Sequence, residues 1–239
     1  YNNLLGEEAP SFFLTFDEEP VSAFRVNPLK AHQKHFLNPI SNTNWGYYGK
    51  ISGKSIEHVT GLVYSQEPAA QMVAQIAAPS QDMKVLDLAA APGGKSTHLL
   101  SYLNNTGVLV SNEINSKRSK VLVENIERFG ARNVVVTNES ADRLSQIFQG
   151  YFDLIVLDAP CSGEGMFRKD LQARAEWSPE AVAHCAERQR EILRDVWPAL
   201  RPGGFLVYST CTFNREENED MVVFACEELG AELISIPLD

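Results

Sequence analysis

The sequence of 239 residues contains no apolar run approaching the roughly 20 residues needed to cross a bilayer. Its first residues, YNNLLGEEAP, also lack the basic and then apolar order of an export signal. These absences exclude a membrane-spanning protein and predict a cytoplasmic address. The cysteines, Cys161, Cys185, Cys211 and Cys226, show no CxxC spacing, so no metal is expected, and in a reducing compartment they are expected as thiols rather than disulfides. Internal repeats and low-complexity tracts are missing too. Positive charge is scarce: 21 Lys and Arg against 31 Asp and Glu give a net charge of −10, which excludes a protein that coats nucleic acid nonspecifically. A local basic groove stays open, with candidates in Arg25, Lys30 and Lys34, in Lys117, Arg118 and Lys120, and in Arg168, Lys169 and Arg174. Such charges are more often solvated faces than sites, so they only support other evidence.

What is present is an α/β pattern. Apolar content of 44% and charged content of 22% are ordinary for a globular chain, and the length suits one large α/β domain with a short extra segment. From residue 84, β-branched runs alternate with amphipathic stretches, the mark of βαβ units and a parallel sheet. Expected strands are 84–88, 107–112, 133–137, 152–158, 204–210 and 232–238; expected helices are 95–104, 116–129, 140–148, 179–199 and 214–229, the last capped by Asn214 with an acidic first turn. Residues 1–80 read as a helical lead-in with short strands and a helix over 65–78 that carries Pro68 in its first turn. The expected division is a small N-terminal α+β cap over 1–80 and a doubly wound, mostly parallel Rossmann-like domain over 81–239.

LDLAAAPGGKSTHLL, residues 86–100, is a strand running into a small-residue loop and a helix. In such a sheet this places backbone N–H groups and a helix N-terminus at the carboxyl edge, where ligands bind. The loop lacks both GxGxxG and the P-loop spacing. Ala89, Ala90, Ala91, Pro92, Gly93 and Gly94 therefore suit a ligand that presses on backbone without a pyrophosphate, and S-adenosylmethionine is the candidate. Glu113, 20 residues beyond Gly93 at the end of the second strand, is placed to accept both ribose hydroxyls of an adenosyl group.

Two further stretches, DAPCSGEGMFRK (158–169) and YSTCTFNREENE (208–219), each put a cysteine just after a strand. With strand four beside strand one and strand five beside strand four, Asp158, Cys161 and Cys211 converge on the donor loop. Two buried inert thiols are the plainer reading; two at adjacent edge loops beside an aspartate favour function. The chemistry that asks for this set is methylation at carbon 5 of cytosine. That carbon is a poor nucleophile until a thiolate adds to carbon 6, a carboxyl group near ring nitrogen 3 stabilises the developing charge, and a base then removes the carbon 5 proton so that the thiol can leave.

LAAAPGGKSTHL, DAPCSGEG and YSTCTFNREENE resemble the donor loop and the two cysteine motifs of the Nop/Sun family of RNA cytosine-5 methyltransferases, and FRVNPLK (24–30) resembles that family's N-terminal segment. GEGMFRKD is most similar to the bacterial branch acting on small-subunit (16S) ribosomal RNA. The resemblance implies Cys211 as the nucleophile, Cys161 as the group assisting release, Asp158 at the cytosine edge, and Lys95 holding the base or the cofactor. It implies that Ala89 to Lys95 and Glu113, with Asp158 alongside, hold S-adenosylmethionine. A third-strand contact is also implied; NESAD lacks the Asp-Gly of many relatives, and Asn138 and Ser140 both qualify. The implied partner is RNA, as 16S ribosomal RNA or a small-subunit particle. The family's catalytic domain ends in a further strand, and the ribosomal branch carries a further C-terminal RNA-binding domain. Neither lies in this sequence, so a chain truncated at its C-terminus is expected.

Other readings are the same chemistry on tRNA, or a noncatalytic RNA-binding ribosome-assembly protein on a methyltransferase scaffold, which would have lost a thiol or the donor loop. Methylation of an exocyclic or protein nitrogen calls for a (D/N)PP(Y/F) loop, and here the loop is DAPC. An NAD-dependent oxidoreductase is disfavoured by the missing GxGxxG.

Overall fold

The computed structural model describes residues 1–30 and 32–236. The chain opens with two short helices, α1 (Asn2–Leu5) and α2 (Ala9–Leu14), each followed by a 3-10 turn. A small antiparallel sheet follows, with β1 (Ala23–Val26) between β2 (Gly46–Tyr48) and β3 (Val63–Ser65), and α3 (Ile56–Val59) in the connection from β2 to β3. Alternation along β1 decides its orientation. Phe24 and Val26 pack with Val63, Phe36 and Tyr47 on one face, while Arg25 points the other way into the main body of the protein.

α4 (Pro68–Ala77) starts on a proline, where no helical N–H is needed, and leads into β4 (Lys84–Asp87). The remaining elements are α5 (Gly94–Leu103), β5 (Val108–Asn112), α6 (Ser116–Phe129), β6 (Val134–Thr137), α7 (Ala141–Ile147), β7 (Phe152–Asp158), α8 (Leu171–Glu176), α9 (Pro179–Val196), β8 (Leu200–Ser209) and α10 (Glu219–Glu228). The five strands pair in parallel in the order β6-β5-β4-β7-β8. Both faces are apolar, as a parallel sheet covered on two sides requires. Leu86, Val110, Ile155 and Leu157 meet Leu144 of α7, Leu193 of α9 and Phe224 of α10. Val85, Leu109, Leu154 and Val156 meet Leu99 and Leu103 of α5, Phe129 of α6 and Ala74 of α4. The doubly wound architecture and the small N-terminal α+β region are thus those expected, and β4 lies next to β7, which lies next to β8.

Three expectations fail locally. No strand forms over 232–236, and 237 and 238 lie outside the described residues. The apolar run of Leu233, Ile234 and Ile236 reads as a strand, but among the described residues these pair with no neighbouring backbone, and they stay exposed. They border a groove of about 1190 Å³ along β8, away from the sheet's carboxyl edge. The last helix begins at Glu219 rather than residue 214, because Asn214 caps a separate turn by accepting from Glu217 N at 2.9 Å. The helix over 179–199 ends at Val196 and tightens into a 3-10 turn over Trp197–Ala199, since Pro198 cannot donate to an α-helical carbonyl.

Candidate active site

The donor loop leaves β4 at the carboxyl edge. Gly93 sits at φ +114°, a backbone geometry that only glycine adopts without strain, and there it sets the start of α5. Arg118 Nη2 of α6 donates to Ala91 O at 2.8 Å, and Asn125 Nδ2 donates to Pro92 O at 2.7 Å, so α6 braces the loop from behind. α5 begins with no side-chain cap, leaving its first N–H groups available to a ligand. Asp87 is fully buried at the end of β4; Ser96 Oγ donates to its Oδ2 at 2.6 Å, while Oδ1 has no partner. Burial pushes its carboxyl up to about 6, and the Ser96 bond and Lys95 only partly oppose this.

Glu113 follows β5 directly and is buried. Its Oε1 accepts from Asn115 N at 2.9 Å; its Oε2 makes no hydrogen bond and faces Arg118 Nη1 at 3.6 Å. One carboxylate oxygen is therefore open beside an uncapped helix and an unpaired Asp87 oxygen, a donor set that fits a hydroxyl-bearing, backbone-hugging ligand such as S-adenosylmethionine. Asn138 turns its amide to Glu113 O and Ile114 O, at 2.6 and 2.9 Å, bracing the Glu113 turn. Ser140 occupies the N-cap position of α7 without a side-chain cap bond.

On the other side of β4, the ends of β7 and β8 bring four expected residues together. Lys95 Nζ of α5 donates to Asp158 Oδ2 at 2.6 Å, and Ser209 Oγ donates to Asp158 Oδ1 at 2.8 Å. Cys161 and Cys211 face each other with 3.3 Å between sulfurs. Cys211 is exposed and Cys161 half-buried. Two sulfurs this close cannot both be charged, so they titrate as a pair. The bond with Cys161 draws the Cys211 thiol down, with help from Lys95 against burial and Asp158; the bond with Cys211 and burial push the Cys161 thiol up. Cys211 N also donates to Cys161 Sγ at 3.4 Å, a weaker bond that does not reverse the order. Of the two, Cys211 is the more accessible and the one whose ionisation its surroundings favour. Cys185 and Cys226 lie apart on α9 and α10, half-buried.

Comparison with known proteins decides the lineage. Residues 74–237 match the family described as 16S rRNA methyltransferase RsmB/F, and residues 1–68 match the N-terminal domain of 16S rRNA methyltransferase RsmF. The chain belongs to the RsmB/F family. Ribosomal RNA small subunit methyltransferase F of Escherichia fergusonii is 44% identical over 95% of this chain and 51% of its own length; that of Serratia proteamaculans is 40% identical over 84% and 46%. The chain spans about half the length of the curated relatives it matches. Among solved structures, PH0851 superposes with a TM-score of 0.89 at 27% identity, covering 100% of this chain and 57% of that one. NSun6 from Pyrococcus horikoshii, solved with SFG, gives a TM-score of 0.69 at 32% identity over 75% of this chain and 46% of its own.

In this RsmB/F member several charges considered for a basic groove are consumed inside the fold. Arg25 is fully buried; Lys30 donates to Thr60 O and Arg128 O. Arg168 and Arg174 hold the N-terminal segment through Thr15 O and Phe16 O, at 2.8 and 2.6 Å, and Lys169 pairs with Glu67. Phe167 meets Phe16 edge-on at 5.6 Å, which makes it an anchor of that segment. Conversely, sequence reasoning passed over Asp87, Ser209, Glu164 and Glu217. Glu164 and Glu217 are fully buried between the two cysteine loops, although a glutamate in a loop, as Glu164 is, and one in the first turn of a helix, as Glu217 was expected to be, read as solvated charges.

Proposed function

We propose that this chain carries the catalytic part of an enzyme that methylates carbon 5 of a cytosine in RNA, with 16S ribosomal RNA or a small-subunit particle as substrate and the cytoplasm as its place of work. The observation that carries the reading is the thiol pair, 3.3 Å apart, standing next to the Lys95–Asp158 pair at the mouth of the donor loop. The names of the curated relatives supply the substrate, and the SFG-bound neighbour supports S-adenosylmethionine as the cofactor. When bound, S-adenosylmethionine supplies an electrophilic methyl group. Ala89 to Lys95 would hold it with their backbone, and Glu113 with its open oxygen; Asn138 would act through the Glu113 turn and Ser140 from the start of α7.

Cys211 adds as thiolate to carbon 6 of the ring, which makes carbon 5 nucleophilic. Asp158, held by Lys95 and Ser209, accepts from the exocyclic amino group, and Lys95 places positive charge where the ring becomes anionic. After methylation, the carbon 5 proton passes to a base, the double bond reforms and Cys211 leaves as thiolate; Cys161 is the group beside it that assists this release. The base must be unstacked to reach both sulfurs, which favours a loop or an opened helix. Residues 1–80 would form the RNA-facing side and 81–239 the methyl-transfer side. Among the described residues no helix is long and apolar enough to cross a membrane.

The test is covalent trapping of the intact protein on RNA containing 5-fluorocytosine with S-adenosylmethionine, read on denaturing gels. Fluorine cannot leave as a proton does, so the adduct persists. It is expected in wild type and Cys161→Ala and absent in Cys211→Ala; loss in Cys161→Ala alone reverses the two roles. No adduct with donor-bound protein on small-subunit RNA overturns the catalytic reading in favour of a noncatalytic RNA-binding one.

A further inference from the structure

The two cysteine loops exchange carboxylates. Glu164, rooted in the Cys161 loop, reaches across to the Cys211 loop, where its Oε2 accepts from Thr212 Oγ1 at 2.6 Å, Phe213 N at 2.7 Å and Asn214 N at 3.1 Å. Glu217, rooted beyond Cys211, reaches back, and its Oε2 accepts from Ser162 N at 3.0 Å. Further donors lock both in place. Tyr1 OH and Trp177 Nε1 donate to Glu164 at 2.5 and 3.0 Å; Gln189 Nε2 of α9 and Asn214 Nδ2 donate to Glu217 at 2.7 and 2.8 Å. Neither carboxylate is exposed, and among the described residues neither is hydrogen-bonded to Cys161 or Cys211. Between them the backbones meet directly: Gly165 N donates to Cys211 O at 2.8 Å, and a Cβ on Gly165 would stand 2.9 Å from that oxygen.

A buried charge carries a desolvation cost that only dense hydrogen bonding offsets, so two such groups at one loop crossing call for a role. Neither loop is held by regular secondary structure at its cysteine; each hangs from the end of a strand. Without a crossing tie the sulfur separation would follow the motion of two independent loops. We infer that Glu164 and Glu217 are positioning residues that fix Cys161 and Cys211 within reach of one another, and that the geometry of four acceptor bonds at Glu164 Oε2, rather than the negative charge, is what Glu164 contributes. The inference takes its catalytic meaning from the proposed cytosine methylation, but the geometry it assigns stands without it.

The experiment separates the two. In the full chain with Cys185→Ser and Cys226→Ser, diamide is added and the rate of pairing between Cys161 and Cys211 is followed by loss of free thiol; the sulfurs join while diamide takes up two electrons and two protons. Methyl transfer to small-subunit RNA is measured in parallel. Glu164→Ala is expected to slow pairing by about tenfold or more and to lower kcat by about as much with KM for RNA little changed. Glu164→Gln, whose amide oxygen can take the Oε2 position and keep its four donors while only the Trp177 bond at Oε1 is lost, is expected to stay within about threefold of wild type in both. Glu217→Ala should behave as Glu164→Ala, and it keeps the inference testable where Glu164→Ala does not fold. Pairing at the wild-type rate in a folded Ala variant overturns the inference, as does Glu164→Gln failing as badly as Glu164→Ala. Slowed pairing without methylation in any form, wild type included, would leave the clamp standing and remove the proposed reaction.

Discussion

The donor half and the thiol half of the carboxyl edge are built to opposite rules. Around the donor loop polar groups are left open: Asp87 Oδ1 and Glu113 Oε2 have no hydrogen-bond partner, and behind α5 neither do Arg25 Nη1 nor either nitrogen of His98. Around the cysteines no such orphan occurs among the described residues, and Glu164 alone takes five donors. Two buried carboxylates show the consequence. Asp87, with one donor, is pushed up to about 6. For Glu164, burial pushes the same way, but the bonds from Thr212, Tyr1, Phe213 N and Trp177 outweigh it and hold the carboxyl below the ordinary range. Burial does not set the charge of a carboxylate; the supply of donors does. The donor-loop half keeps buried polar atoms without hydrogen bonds, whereas the polar atoms of the thiol half are bonded to one another.

Four measurements would break or sharpen this contrast. The largest effect is expected from Glu164→Ala, which strands buried donors; unfolding in guanidinium should show a loss of about 3 to 5 kcal/mol. Asp87→Asn should do the reverse in ligand-free protein. Because the Asp87 pKa is raised from 3.8 to about 6, its folded form binds the proton more tightly than the unfolded chain. The stability it contributes is full below pH 3.8 and is lost as pH rises through 6. Asp87→Asn should therefore gain about 3 kcal/mol at pH 7.5 and flatten the profile between those values. S-adenosylmethionine at about one hundred times its Kd should add about 2.7 kcal/mol in thermal melts, undiminished in Glu164→Gln but reduced at the same concentration in Glu113→Gln, through weaker binding. Ser209→Ala, at the aspartate shared by the halves, should cost the least, about 1 kcal/mol, with a larger loss in kcat than in stability.

The sequence announces the parts whose chemistry is local. Strands with apolar residues on successive positions, such as LIVL in β7, declare themselves buried on both faces, and the parallel order that follows places Asp158, Cys161 and Cys211 together. The crossing carboxylates were hidden because their donors are remote in sequence: Glu164 takes its donors from residues 13 to 163 positions away, from Trp177 to Tyr1, and Glu217 takes Gln189 and Ser162 from 28 and 55 positions away. Asn214 misled for a related reason. Its cap serves a turn that delivers Glu217 to the Cys161 loop rather than starting α10. Arg168 and Lys169 looked free beside the thiol because nothing in their local sequence reveals Thr15 or Glu67 as partners. ELISIPL shows the opposite error: its apolar run is real, but a strand is a property of two backbones, and one segment's pattern says nothing about its neighbour.

Arg25 bears on how far this protein can be taken apart. The family models divide the chain between residues 68 and 74, yet the Arg25 side chain crosses that border: Nε is held by Gln66 Oε1 on its own side at 2.7 Å, while Nη2 donates to Gly94 O and Thr97 Oγ1 at 2.9 and 2.7 Å. Burial pulls its guanidinium down to about 9, so its charge depends on the acceptors that surround it. Cutting at the sequence border would bare an apolar strand carrying an arginine left with Gln66 as its acceptor, and would strip α5, the helix that frames the donor loop, of its brace. The border between the two family models is thus not a mechanical one, because Arg25 ties the stretches on either side of it into one piece.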